Sequence, residues 1–258
     1  MDNLVLYHVK ERVGYITLNR PEKRNALSFE FVQNIKQVFT QAEADTNCKV
    51  IVIKANGEAF CSGADLSSLQ KMQNNTFDEN LADSKNLMEL FAMIYQSKKV
   101  VIAQVEGAAL AGGCGLATIC DFCFATTDSK FAYTEVKIGF VPAIVMVFLI
   151  RKVGEQIAKK IMLTAEIIDS EQAQAYQLIN EVVNYDLIEE HVFNFAQKLC
   201  KQASGESLAL TKQMINEVQN KTLTDALNYA AAMNAQARQT DDCKRGINAF
   251  LNKEKLSW

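Results

Sequence analysis

The sequence has only two histidines, His8 and His191, and neither has a metal-ligand neighbour. That argues against histidine-based metal sites and against catalytic triads built on histidine. Apolar runs of membrane length are also missing. The longest strongly apolar stretch, Val141 to Ile150, is too short to span a bilayer and reads as a buried helix. Neither sign of charge dominates. With 27 basic and 30 acidic residues the net charge is −3, which argues against a general nucleic-acid binder. Met1-Asp2-Asn3-Leu4 lacks the basic start and apolar core of a signal peptide, so a cytoplasmic setting is expected. The seven cysteines are an odd number in a chain too long to need disulfide staples, and reduced thiols are the expectation. Cys120-Asp121-Phe122-Cys123 spells CxxC, but two thiols so spaced along a strand face opposite ways, which favours buried residues over a redox or zinc pair.

What the 258 residues do contain is enough apolar material, 49%, to bury a sizeable core. Residues 3–9 and 12–18 alternate apolar with polar, as a hairpin does, with Leu4, Leu6 and His8 on one face of its first strand. Ser28 stands as an N-cap before a helix whose Phe31, Ile35, Val38 and Phe39 share a face. Val50 to Ile53 is a buried strand, followed by an Asn56-Gly57 turn. Residues 70–82 read as polar and mobile. An amphipathic helix then carries Leu87, Leu90, Phe91, Ile94 and Tyr95 and ends at Lys98-Lys99, charges suited to a helix C-terminus. Strands are expected at 100–105, 120–126, near 131–133 and at 181–184. From about 143 the chain is nearly all helix, with segments at 143–152, 155–163, 170–177, 187–203, 207–219, 223–239 and 241–252. Asp169 and Gln172 look like a capping pair. No low-complexity linker interrupts the chain, so one compact α/β or α+β unit is expected.

Two glycine turns carry the chemistry. Val105 to Ala117 runs from a strand through Gly107, Gly112 and Gly113 into a helix, and Phe60-Cys61-Ser62-Gly63-Ala64-Asp65-Leu66 repeats the device. Glycine admits close approach of a ligand, and the first N–H groups of a helix have no partner of their own. Two such donors converging on one point would form an oxyanion hole; tight packing turns are the other reading. Neither turn fits GxxxxGK[ST] or GxGxxG, which disfavours a nucleotide fold. Asp65 is open to two roles, nucleophile or base on one side and helix cap on the other.

Several blocks, in order and correctly spaced, together resemble the enoyl-CoA hydratase/isomerase (crotonase) family. They are Asn19-Arg20-Pro21 with Arg24-Asn25-Ala26-Leu27, the Phe60–Leu66 turn, Gly107 to Cys114 continuing to Cys120-Asp121, and Leu163-Thr164-Ala165 with Ile168-Asp169. Leu178-Ile179-Asn180 with Val182-Val183, and Ala249-Phe250-Leu251 with Lys253, complete the set. The resemblance implies an α/β spiral of ββα turns, residues 1–195, and a C-terminal helical region, 196–258, that makes a homotrimer or a dimer of trimers. It implies CoA thioester substrates, with coenzyme A part of the substrate, and no metal or redox cofactor. It assigns the oxyanion hole to the N–H groups of Ala64 and Gly112 and a catalytic carboxylate to Glu135. Arg24, Ala26, Ser62, Asp65 and Leu66 match positions lining the CoA groove, and Gly115, Thr134, Pro142 and Ala143 complete the substrate-contacting set. Phe250 and Lys253 match positions that reach a neighbouring protomer's CoA; as a residue alone, Phe250 reads equally well as core of the last helix.

Two departures stand out. Hydratases of the family pair Glu135 with a second glutamate, at the position where this chain has Gly115, and the glycine-rich turn they carry after Pro142 is here Ala143-Ile144-Val145-Met146-Val147-Phe148. Bulky apolar residues there would shrink or dry the pocket, or pack beneath it; a simply buried helix is the expectation for Ile144 to Phe148. A Δ3,Δ2-enoyl-CoA isomerase needs only one proton-shuttling base, and a decarboxylase needs mainly the oxyanion hole. The run from Glu135-Val136-Lys137-Ile138-Gly139 to Arg151-Lys152 resembles methylglutaconyl-CoA hydratases. The leading expectation is therefore a hydratase of a short or branched 2-enoyl-CoA, with isomerase, or a non-catalytic acyl-CoA-binding protein of the same fold, as alternatives.

Overall fold

The computed structural model describes residues 3–258. Its strands come in pairs, and after the first pair, a hairpin within one sheet, the two members of a pair join different sheets. β1 (Val5–Lys10) and β2 (Val13–Leu18) form the expected hairpin, and α1 (Phe29–Ala44) follows, capped by Ser28 Oγ on the Phe31 N–H. β3 (Val50–Ala55) and β4 (Ala59–Cys61) lead into α2 (Leu66–Met72) and α3 (Phe77–Gln96); β5 (Val100–Val105) and β6 (Ala108–Leu110) lead into α4 (Gly112–Thr118). β7 (Phe122–Thr126) and β8 (Lys130–Ala132) lead through a 3-10 turn, Glu135–Ile138, into α5 (Ala143–Thr164). After these come β9 (Ile168–Asp169), α6 (Ser170–Ala175), β10 (Glu181–Val183) and α7 (Ile188–Gln202). The large sheet has the order β1-β2-β3-β5-β7-β10, parallel except for the β1–β2 hairpin, and the small one β4-β6-β8-β9. Each ββα unit after the first thus advances one step along both sheets, the spiral that the resemblance implies.

Burial explains the strand sequences. All six residues of β2 and of β5 are buried, because the large sheet is covered on both faces. Ile16, Leu18, Ile51 and Ile53 point to a core shared with α1 and α3, while Val13, Tyr15, Val50 and Val52 meet Val192 and Ala196 of α7. The chain closes with α8 (Gly205–Val218), α9 (Leu223–Ala237) and α10 (Asp241–Leu251), which contribute one buried residue between them, Ala249. None of the helices is long and apolar enough to cross a membrane, among the described residues.

Several expectations are corrected. In β1 the inward residues are Val5, Tyr7 and Val9, with Leu6 and His8 outside; both faces of this edge strand carry apolar groups, and a slip of one residue exchanges them. Residues 70–82 are mostly helical: Thr76 and Glu79 form a reciprocal capping box that starts α3. Lys98 and Lys99 lie past the end of α3, and Lys99 Nζ donates to the Ala42 and Asp45 carbonyls, so it caps α1 instead. Cys120 precedes its strand, although both thiols of the CxxC are buried and free. The helix after Pro142 is not simply buried: Val145 and Leu149 face inward, but Met146 and Val147 are exposed. Helical geometry breaks once inside α5, at Gly154 with φ 75°, where the two expected segments meet.

Candidate active site

The two glycine turns meet. Gly63 has φ +90°, and a Cβ built on it would fall 2.8 Å from Ala111 Cβ, 3.0 Å from the Leu110 carbonyl and 3.7 Å from Gly112 N. Only glycine allows that approach. Ala111, with φ 50° and ψ −125°, sits in a strained region that costs a non-glycine residue about 1–3 kcal/mol. Its own N–H is tied to the Ala132 carbonyl of β8 at 2.7 Å, and the chain then turns so that Gly112 opens α4. Gly113 presses on the end of β4, where a Cβ would lie 2.2 Å from the Cys61 carbonyl. On the other turn, Leu27 N–H donates to the Gly63 carbonyl (2.7 Å) and Asp65 N–H to that of Leu27 (3.1 Å). That parallel bridge engages the neighbours of Ala64 and leaves Ala64 itself exposed. Among the described residues, neither the Ala64 nor the Gly112 N–H has an internal acceptor. Both donors are open to a ligand oxygen.

Asp65 is the N-cap of α2: one oxygen accepts from Ser67 N–H and Oγ, the other from Arg20 Nη1 at 2.8 Å. The Ser67 hydroxyl above all, then the Ser67 N–H and Arg20, hold this buried carboxyl below the usual range. Of its two open roles, the cap is the one formed. Arg24 and Leu66 are exposed beside it and Ser62 is half-buried, while Ala26 is buried and offers its carbonyl to Arg20.

Glu135 opens the 3-10 turn after β8, with Thr134 before it. Its Oε2 is buried with no hydrogen-bond partner, and burial raises its pKa above the ordinary 4.5. The pairing with Lys137 that would make it an ordinary surface residue is not formed. A buried acceptor without a partner costs stability, and such groups gather where a substrate completes them. Three residues before Glu135 the Ala132 carbonyl accepts the Ala111 N–H beside Gly112, and the Tyr133 hydroxyl lies 3.0 Å from Thr118 Oγ1 of α4. It therefore belongs to the same locality as α4.

Gly115 stands one turn into α4, and the space beyond its Cα is full. A Cβ there would lie 2.2 Å from Val145 Cγ1 and 3.4 Å from Phe91 Cε2. The two departures seen in the sequence are one feature: the apolar residue in the helix after Pro142 occupies the volume a side chain at 115 would need. Pro142 caps α5 and Ala143 opens it, exposed. Phe250 is 82% exposed, which removes its reading as core, and both it and Lys253 lie at the helical end, where α10 packs on α8. No cluster of three or more His, Cys, Asp or Glu side chains gathers among the described residues as a metal would require. Sequence reasoning missed Arg20 as the partner of Asp65 and Val145 with Phe91 as the filling behind Gly115. A loop arginine does not say which carboxylate it reaches, and the bulky run after Pro142 does not say which residue it meets.

The sequence profile of the enoyl-CoA hydratase/isomerase family matches residues 8–258. The chain belongs to that family. The 2,3-dehydroadipyl-CoA hydratase of Escherichia coli is 34% identical over 245 residues, 95% of this chain and 94% of its own. The crotonyl-CoA hydratase of Syntrophomonas wolfei is 30% identical over 259 residues, 100% of this chain and 98% of its own. Among solved structures, an enoyl-CoA hydratase from Shewanella pealeana superposes with a TM-score of 0.94 at 28% identity, covering 99% of this chain and 96% of that one. As a hydratase/isomerase family enzyme with the crotonase fold, the chain presents three candidates at one locality: two free backbone donors at a glycine junction and one buried carboxylate.

Proposed function

We propose that this enzyme adds water to, and removes it from, a short or branched 2-enoyl-CoA, using a single carboxylate. The unpartnered, buried Glu135 Oε2, on a turn whose preceding strand is tied to the start of α4, carries the reading. In the forward direction water attacks the β-carbon and gives one proton to the Glu135 carboxylate. The C=C electrons move onto the thioester oxygen, which the Ala64 and Gly112 N–H groups hold as it gains charge. Protonated Glu135 then delivers that proton to the α-carbon, so the proton removed is the one returned and no second acid is needed. The raised pKa of Glu135 suits both halves of that cycle. The names of the relatives support hydration, and the filling by Val145 and Phe91 supports a compact acyl group, as does the resemblance of the 135–152 run to methylglutaconyl-CoA hydratases.

Coenzyme A enters this reading as part of the substrate, held along Arg24, Ala26, Ser62, Asp65 and Leu66, and the cycle draws on no metal or redox group. Residues 1–195 carry the site, and 196–258 join protomers into a trimer or a dimer of trimers. Exposed apolar residues on α8–α10 support that division: Ile215, Leu223, Leu227, Ile247, Phe250 and Leu251 are 53–82% exposed. A second reading, Δ3,Δ2-enoyl-CoA isomerisation, is favoured by one observation, the filled space at Gly115. Incubation with 3-methylglutaconyl-CoA, crotonyl-CoA and 3-hexenoyl-CoA in heavy-oxygen water separates the two. Label in a hydroxyl product is the expected result; a shifted double bond without label would establish the isomerase instead.

A further inference from the structure

One guanidinium splices two segments that lie forty residues apart. Arg20 Nη1 donates to Asp65 Oδ2 (2.8 Å) and to the Ala26 carbonyl (3.1 Å), and the Arg20 backbone N–H is held by Asn25 Oδ1 (2.8 Å). Asn25 is fully buried and sends its amide to the carbonyls of Asn56 and Ala59, 2.9 Å each. Arg24 and Asn25 are both left-handed, with φ 50° and 52°, so the loop's shape is imposed by these bonds rather than by local preference. Backbone bonds interleave the segments further: Ser62 N–H donates to Arg24, Leu27 N–H to Gly63 and Asp65 N–H to Leu27. Ala64 is thus clasped on both sides while its own N–H points at nothing in the protein. The Arg20 and Asp65 side chains are only 17% and 6% exposed, and the other carboxylate near Arg20, the exposed Glu22, stands 4.0 Å from its Nε.

We propose that Arg20 is a positioning residue. It couples the 24–27 loop, with the exposed cation Arg24 facing ligand, to the aim of the Ala64 N–H. This rests on the reading of Ala64 and Gly112 as oxyanion donors. Occupying the loop stiffens the splice, and the splice holds the donor where the thioester oxygen gains charge. Remote binding is then converted into polarisation of the carbonyl.

The test reads that polarisation without needing turnover. Butyryl-CoA and its truncated pantetheine thioester, each carrying a carbon-13 carbonyl, are bound to wild type and to Arg20→Met, and the carbonyl stretch is followed by infrared difference spectroscopy. In wild type the stretch of bound butyryl-CoA is expected to fall below its value in water, and by more than that of the truncated thioester. In Arg20→Met the downshift is expected to shrink to that of the truncated thioester, while the calorimetric Kd for butyryl-CoA changes by less than about threefold. Arg20→Lys, which keeps a cation but not the fork, should fall between. Should Arg20→Met melt, Arg20→Gln, which keeps a donor toward the Ala26 carbonyl and Asp65 without the charge, is read the same way. An unchanged downshift, or one lost only in proportion to affinity, overturns the inference. So does a wild type with no downshift. Hydration in heavy-oxygen water is scored separately, so a hydratase whose downshift ignores Arg20 sinks this inference and leaves the hydratase reading standing.

Discussion

At the scale of single residues the weight falls on Glu135. Its folded pKa is raised, so the folded state holds the proton more tightly than the unfolded chain does. Its contribution to stability is therefore greatest below the ordinary value of 4.5 and declines as pH rises through the raised value. Glu135→Gln removes the buried charge. It is expected to melt higher than wild type at neutral pH and to lose that advantage near pH 4, while turnover drops by about 10²–10⁴ with thioester affinity retained. Scanning calorimetry at two pH values and steady-state kinetics check both halves. The acid limb of kcat/KM should lie above 4.5 and follow Glu135. Gly112→Val, whose Cβ presses on Leu27 Cδ1 at 3.3 Å, should cost about 10²–10³ in kcat by crowding the donor. The glutamate and both glycine turns were legible because the resemblance fixes them by position. Arg20 was not, since a loop arginine gives no sign in sequence of which carboxylate it reaches.

Between elements, the decisive contact is α4 against α5. Gly115→Glu alone drives its Cβ to 2.2 Å from Val145 Cγ1, and overpacking of this kind costs about 1–3 kcal/mol. Denaturant titration should show that loss, and Val145→Gly in the same chain should recover part of it; equal stability of the single and the double variant would contradict the filling. The ββα alternation could be expected, and the helix bounds after residue 187 came within a few residues, because long amphipathic periods are strong signals. Of the short strands, β8 and β10 fall where strands are expected, but β6 and β9 were not legible. β6 and β9, three and two residues long, are defined by their partners in the small sheet rather than by any pattern of their own. Nor could one sequence reveal that Gly115 and Val145 share a volume, since thirty residues separate them.

For the whole molecule, α8–α10 bury one residue within one chain, Ala249, and in the proposed assembly their apolar faces meet another copy. Leu223 and Leu227 lie one turn apart on α9, 76% and 62% exposed. Changing both to Glu should convert trimers or hexamers to monomers in sedimentation velocity and lower activity with them, since Phe250 and Lys253 would no longer reach a neighbour; a wild type that is monomeric at micromolar concentration would contradict this. In the proposed cycle all these parts serve one event, the removal and return of a proton beside a thioester. That event is measured most directly by α-proton exchange of butyryl-CoA in deuterium oxide, followed by nuclear magnetic resonance. Deuterium should enter the α-position with wild type and fail to enter with Glu135→Gln; exchange that persists undiminished without the carboxylate would contradict the role of Glu135.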